Sequence, residues 1–386
     1  MRKGWKQRKL RDVCELINGR AYGKPELLAE GKYPVLRVGN FFTNNNWYYS
    51  DMELGQEKYC DNGDLLYAWS ASFGPRIWEG GKVIYHYHIW KVQPEFTLIE
   101  KKFLFFWFLW DTDEIKKDQG AGTTMLHVSK GSMEDRNILV PPLAEQQRIV
   151  GVLDEALAGL ATAQAHAEKN LQNARALFES HLQSVLANRK WKWTRLGDLC
   201  ERVEYGSSAK SQKEGSVPVL RMGNIQAGKL DWENLVYTND KDEIKKYLLK
   251  YNDVLFNRTN SPELVGKTAI YKSDIPAIFA GYLIRIHCKG DLLDADYLTY
   301  FLNSQIALEY GKTVMISSVN QANINGEKLK GYPIPAPALN EQKQIIAKLD
   351  ALAAETQRLE TLYQQKQAAL AALKKSLLHQ AFSGAL

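Results

Sequence analysis

The run Pro34-Val35-Leu36-Arg37-Val38-Gly39-Asn40 returns as Pro218-Val219-Leu220-Arg221-Met222-Gly223-Asn224, identical at six of seven positions. Outward from it, the matches continue in the same order. Trp5-Lys6, Leu10, Asp12 and Cys14 recur as Trp191-Lys192, Leu196, Asp198 and Cys200. Asp64-Leu65-Leu66-Tyr67 is answered by Asp253-Val254-Leu255-Phe256, and Leu143, Glu145-Gln146, Ile149 and Leu153-Asp154 by Leu339, Glu341-Gln342, Ile345 and Leu349-Asp350. The offset drifts only from 184 residues at Pro34 to 196 at Leu143. Self-similarity kept in order at one spacing is a duplication, and a fold must be read for one unit and then written twice.

Within a unit, the segments around Leu36, Leu66 and 83–92, with their copies around Leu220, Leu255 and 277–287, are rich in Val, Ile and Tyr and read as strands. The run 103–110 is apolar all round, so its period does not separate buried strand from buried helix. Its counterpart 297–310 carries Leu298, Phe301 and Leu302 at helical spacing, which makes both helices. A long helical segment follows each unit. In 144–188, Val150, Leu153, Leu157, Leu160, Gln164, Ala167, Leu171, Ala174, Phe178, His181 and Val185 alternate three and four apart. In 340–382, Ile345, Leu349, Leu352, Thr356, Leu359, Tyr363, Lys366, Leu370, Leu373 and Leu377 do the same. Both read as heptad seams. Pro141-Pro142 and Pro335 with Pro337 punctuate their starts, and Gly384 suits a stop. The fold expected is α+β: two tandem mixed domains, 1–142 and 190–338, each followed by a long helix, 143–189 and 339–386, the two helices pairing as an antiparallel coiled coil. Each helix would be about 65 Å long, one to two turns of DNA. A dimerisation coiled coil between chains is the alternative.

A chain of 386 residues with 45% hydrophobic content fills an ordinary core in each half. A net charge of +6 is compatible with a polyanionic partner without requiring one. Four cysteines, Cys14, Cys60, Cys200 and Cys288, form no CxxC pair and point to a reduced, cytoplasmic setting. The basic start has no apolar h-region behind it, and the longest apolar run, 103–110, is too short for a membrane span.

The enzymatic readings fail one by one. Gly266-Lys267-Thr268 lacks the glycine of a phosphate-binding loop, since Ser261 stands in its place. Pro141-Pro142 is flanked by Val140 and Leu143, not by the residues of an amino-methyltransferase motif, and no glycine-rich turn suits S-adenosylmethionine. His86 and His88 sit two apart and could share a metal, but no third ligand is evident in the sequence. His127 would suit a general base, yet its counterpart Asn323 cannot do that work; hydrogen-bonded recognition fits both.

Two segments in each unit have the chemistry of base and phosphate contact. One is the polar stretch with Thr123, Thr124 and His127, against Asn320, Gln321 and Asn323 in the second copy. The other is the loop carrying Trp69, Ser70, Ser72 and Arg76, against Arg258, Thr259, Asn260 and, further on, Lys267. The loops differ between copies, as two readers of different sequences would need.

Pro141-Pro142-Leu143-Ala144-Glu145-Gln146-Gln147-Arg148-Ile149-Val150, the second copy Ala338-Leu339-Asn340-Glu341-Gln342, and the closing Ser376-Leu377-Leu378 with Ala381-Phe382-Ser383-Gly384 resemble type I restriction-modification specificity subunits. The second copy departs by one residue, Ala338 replacing the second proline. The resemblance implies two target-recognition domains that each read half of a split, asymmetric DNA sequence, with the paired helices as the ruler. It also implies docking of two modification subunits, which carry S-adenosylmethionine and flip and methylate adenine, and of restriction subunits driven by ATP and Mg²⁺. The chain itself would hold no cofactor, no metal and no active site. The rival readings are a self-sufficient methyltransferase or nuclease, and a coiled-coil adaptor that never reads DNA.

Overall fold

The computed structural model describes residues 4–70, 72, 74–118, 127–188, 190–318 and 321–386. In the first unit the chain forms strands β1 (Lys6–Lys9), β2 (Cys14–Asn18) and β3 (Tyr33–Leu36), a short helix α1 (Val38–Thr43), then β4 (Tyr48–Ser50), β5 (Tyr59–Cys60), β6 (Leu65–Ala68), β7 (Gly74–Ile77), β8 (Val83–Tyr85) and β9 (Ile89–Pro94). Helices α2 (Lys101–Asp118) and α3 (Lys130–Glu134) and strand β10 (Asn137–Val140) lead into the long α4 (Leu143–Leu186). One antiparallel sheet has the order β2-β9-β6-β7; a second, β4-β3-β8-β5, contains the parallel pair β3/β8; β1 pairs with β10.

The second unit repeats this plan. It has β11 (Trp193–Arg195), β12 (Cys200–Tyr205), β13 (Val217–Leu220), the hairpin β14 (Ile225–Gln226) and β15 (Lys229–Leu230), and β16 (Val236–Thr238). Helix α5 (Lys241–Tyr247) precedes β17 (Val254–Asn257), β18 (Thr259–Asn260), β19 (Thr268–Ile270), β20 (Ile278–Phe279) and β21 (Leu283–Cys288). Helices α6 (Ala295–Leu302) and α7 (Gln305–Val314), strands β22 (Ile316–Ser318) and β23 (Gln321–Asn323), helix α8 (Gly326–Lys330) and strand β24 (Pro333–Pro335) end at α9 (Leu339–Ser383). The sheet orders are β12-β21-β17-β19, β16-β13-β20 with β13/β20 parallel, and β11-β24.

The apolar run at β6 has a plain cause. All four of its residues are buried, and because successive side chains alternate, Leu65 and Tyr67 join the helix-side core with Trp90, Phe103 and Trp107. Leu66 and Ala68 join a separate core with Leu36, Phe41 and Tyr85. In β17, Val254 and Phe256 likewise face the helix side and Leu255 the other. A strand covered on both faces loses the apolar-polar alternation, as these do.

The helical reading of 103–110 and its counterpart holds, but the second copy is broken. Asn303 leaves the helix to bind the edge strand β19: its Oδ1 accepts from Thr268 N–H at 3.1 Å and its Nδ2 donates to Thr268 C=O at 2.9 Å. Ser304 then caps α7, its hydroxyl oxygen accepting from Ala307 N–H. Thus 297–310 is two helices rather than one.

Each long helix contributes to both compact units, 1–168 with 365–386 and 169–364. In the first, Ile149, Val150 and Leu153 of α4 share a core with Leu378, Ala381 and Phe382 of α9. In the second, Leu182 and Leu186 of α4 share one with Leu349 of α9, and Arg175 makes an ion pair with Glu360 at 3.1 Å. The pairing is antiparallel, and the last turns of each helix complete the core of the other copy.

The heptad reading drifts out of register. Gln164, His181, Lys366 and Leu373 are exposed, while Ala163, Leu182, Gln367 and Leu378 lie on the buried side. The buried and half-buried stripe repeats every eleven residues, through Leu160, Leu171 and Leu182 on α4 and Ile345, Thr356, Gln367 and Leu378 on α9. Eleven residues make three turns at 3.67 per turn, close to the 3.6 of an undistorted helix. Among the described residues, no helix is long and apolar enough to cross a membrane. Cys200 and Cys288, distant in sequence, face each other across β12/β21 as free thiols.

Candidate nucleic-acid interface

The two segments singled out in each copy lie side by side. Past β6, Trp69 N–H donates to His88 C=O at 3.0 Å, Ser70 bridges antiparallel to His127, and Val128 N–H donates to Trp69 C=O at 3.3 Å. Past β17, Arg258 N–H donates to Tyr282 C=O at 3.0 Å, Thr259 pairs with Asn323, and Ile324 N–H donates to Arg258 C=O at 2.9 Å. In the second unit the pairing extends into a small sheet, β18-β23-β22.

This equivalence narrows the difference between the loops. Trp69 and Arg258 occupy one position: the indole Nε1 donates to Tyr87 C=O at 2.8 Å, and Arg258 Nη1 donates to Gly281 C=O at 3.1 Å. Trp69 stacks on Trp90 at 5.8 Å, and the Arg258 guanidinium lies 5.0 Å from the Tyr205 ring. Ser70 and Thr259 are a buried hydroxyl pair, and Asn323 Nδ2 donates to Thr259 Oγ1 at 2.6 Å. These residues hold the edge together as well as lining it.

The other candidates divide. Ser72, His127 and Gln321 are exposed at the edge. Asn260 pairs with Ala322, and its Oδ1 accepts from Ser261 N–H at 2.9 Å. Lys267 is half-buried before β19, its carbonyl accepting from Asn257 N–H at 2.8 Å. Arg76 points elsewhere. It sits within β7, donates to Phe41 C=O and lies 5.6 Å over the Trp78 ring, so its guanidinium is committed inside the domain. Thr123, Thr124 and Asn320 lie outside the described residues.

A third segment at the same edge was read from the sequence as part of a continuous strand, 83–92 and 277–287, but is a turn: His86-Tyr87-His88 between β8 and β9, with its copy Ala280-Gly281-Tyr282 between β20 and β21. His88 packs 4.9 Å from Trp69 and 4.8 Å from His86, and Trp69 is 6.0 Å from His127. Burial, then His88 and Arg37, hold His86 down at about 4; burial, then His127 and Arg37, hold His88 below the usual histidine range. At neutral pH both imidazoles are therefore uncharged, each with one donor and one acceptor nitrogen. Among the described residues, no three His, Cys, Asp or Glu side chains are placed to hold a metal ion. The signal for this segment was the pair of histidines itself, whose spacing allowed a shared metal but favoured a structural or hydrogen-bonding role.

The opening motif builds the frame beneath. Asn40 and Asn224 are buried; their Oδ1 atoms accept from Arg37 N–H at 2.7 Å and Arg221 N–H at 3.0 Å, and each Nδ2 binds backbone carbonyls, Val35 in one copy, Asp231 and Glu233 in the other. Arg37 lies 5.1 Å over the Tyr48 ring. Gly19 and Gly206 pass so close to the third turn that a Cβ would stand 2.2 Å from Tyr85 O and 2.4 Å from Phe279 O, which only glycine avoids.

The chain is a duplicated α+β scaffold, with a matched edge in each unit and an antiparallel helix pair. Its family follows from comparison: residues 2–170 and 188–368 match the type I restriction modification DNA specificity domain, and the chain belongs to that family. It is 34% identical over 159 residues to a putative type I restriction enzyme MjaX specificity subunit of Methanocaldococcus jannaschii, an alignment covering 40% of this chain and only 37% of that relative. Against the MjaVIII specificity subunit of the same organism the identity is 24% over 372 residues, 90% of this chain and 86% of the relative. A chain from a solved structure of a type I R-M system has the same fold, with a TM-score of 0.80 at 19% identity, covering 100% of this chain and 99% of the other.

Proposed function

We propose that this chain is the sequence-reading subunit of a type I restriction-modification complex and that its two units each read one half of a bipartite, asymmetric DNA target. The observation that carries this is the paired edge. In both copies two segments far apart in sequence meet through equivalent hydrogen bonds, while the side chains displayed there differ, Trp69, Ser70 and His127 against Arg258, Thr259 and Asn323. Two similar frames with different faces suit two different half-sites. Lysines and arginines around each edge position the duplex through its phosphates, and edge side chains read bases in the major groove.

On this reading the long helices set the gap between the half-sites and dock two modification subunits, through which restriction subunits join. S-adenosylmethionine, ATP and Mg²⁺ act in those partners, in the cytoplasm, and base eversion belongs to the modification subunit. A methylation map of DNA from cells making this chain with its cognate modification subunit tests the reading. One split, asymmetric motif is expected; a contiguous palindrome or no methylation sinks it. Turnover by the purified chain alone, given DNA with S-adenosylmethionine or Mg²⁺, would favour a self-sufficient enzyme. Absence of any sequence-dependent binding with the modification subunit present would favour a plain adaptor.

A further inference from the structure

We infer that the turn after β8 and after β20 is a specificity-determining element of each unit, with His88 and Tyr282 as its principal reading residues. The inference rests on the function proposed above and adds residues to it. The backbone of this turn is held alike in the two copies. His86 N–H donates to Leu36 C=O at 2.8 Å and Ala280 N–H to Leu220 C=O at 2.9 Å. Ile89 N–H donates to His86 C=O and Leu283 N–H to Ala280 C=O, both at 2.9 Å. Arg20 N–H reaches Tyr85 C=O and Ser207 N–H reaches Phe279 C=O, while Tyr87 N–H and Gly281 N–H return to Arg20 C=O and Ser207 C=O. Finally, the carbonyls of His88 and Tyr282 accept from Trp69 and Arg258, which fixes the turn against the first reading segment.

On that constant frame every side chain has changed: His86 to Ala280, Tyr87 to Gly281, His88 to Tyr282. A loop released from constraint drifts in backbone and side chain together, whereas here the backbone bonds are kept and only the display differs. The display is also unusual for a surface turn. Tyr87 and Tyr282 remain 38% and 51% exposed, and Tyr205 beside the second turn 47%. Rigidly mounted exposed aromatic rings lose little entropy on meeting a flat ligand, and beside the edge they suit the thymine methyl or a sugar-base face. The neutral imidazole of His88 suits a base-edge donor or acceptor. The two turns therefore give the halves different chemistry, two imidazoles beside a phenol in the first and a single phenol in the second.

The test uses the full chain assembled with its modification subunit and a randomised duplex DNA library, comparing the wild type with Tyr282→His, His88→Tyr and the graft His86→Ala/Tyr87→Gly/His88→Tyr. Base preference at one or two positions in a single half of the motif is expected to change by about tenfold, with the other half untouched. The inference fails if the folded variants select the wild-type motif, or if affinity falls evenly across all sequences with the motif kept. If the graft does not fold, the two single exchanges decide by the same criteria. A wild-type chain that selects no motif refutes instead the function on which the inference rests.

Discussion

Gln146 and Gln342 tie the start of each long helix to the loop ahead of α2 in the first unit and of α6 in the second. Gln146 is fully buried; its Nε2 donates to Leu98 C=O at 2.9 Å and Pro141 C=O at 2.8 Å, and its Oε1 accepts from Glu100 N–H at 2.7 Å. Gln342 makes the same three bonds to Leu292, Pro337 and Asp294. The Glu-Gln repeat was visible in sequence, but its reason was not, because the partners are backbone groups and backbone groups leave no sequence signature. Gln146→Leu strands three buried polar groups at about 1–3 kcal/mol each if none relaxes. A loss of several kcal/mol in denaturant unfolding is expected, and a loss under about 1 kcal/mol would refute the clamp. His86 gives a second prediction at this scale. Its folded pKa of about 4 lies below the ordinary 6.5, so the folded state binds fewer protons between those values. The contribution is present above pH 6.5 and is lost as the pH falls towards 4. Arg37, His88, Tyr22 and Tyr87 face the ring. Thermal midpoints measured from pH 7 to 5 should fall, and His86→Ala should flatten the slope; equal slopes would assign the acid sensitivity elsewhere.

At the scale of elements, the strands and helices were legible because the two copies arbitrate each other, Leu298, Phe301 and Leu302 fixing the helicity of 103–110. What could not be read was phase. Heptads and hendecads share their three-four alternation over one or two repeats, and alanine and glutamine serve on either face of a helix, so the stripe through Ala163 and Gln367 emerges only from burial. Nor does chain order reveal that α9 ends in the core of the first unit, where Phe382 packs 5.2 Å from Phe103 and 5.8 Å from Trp110. Phe382→Ala should therefore cost about 3–5 kcal/mol. The loss should appear as faster hydrogen exchange in β6 and β9, although the second unit is nearer in sequence. Exchange raised only in β17 and β21 would refute it. The edge proposed to read DNA was half legible: side-chain chemistry singled out both segments, but the bridges joining them and the turn at His88 are contacts across long stretches of chain.

At the scale of the whole molecule, the proposed ruler makes a quantitative prediction that joins helix period to DNA period. The buried and half-buried stripe on α4 and α9 repeats every eleven residues, so inserting eleven residues at matched points in both helices keeps the seam in phase. At 1.5 Å per residue, one such insertion lengthens the pair by about 16 Å, near half a turn of DNA, and two lengthen it by about 33 Å, near one turn. If the helices set the gap, one inserted period should present the two units to opposite faces of the duplex and abolish tight binding. Two inserted periods should restore it, with both half-site sequences unchanged and the gap longer by about 10 base pairs. Selection from duplexes with fixed half-sites and variable gaps reads both outcomes. If the chain with two added periods still preferred the original gap, the spacing would be set by something other than the helices, and the ruler would have to be abandoned while the reading edges stood.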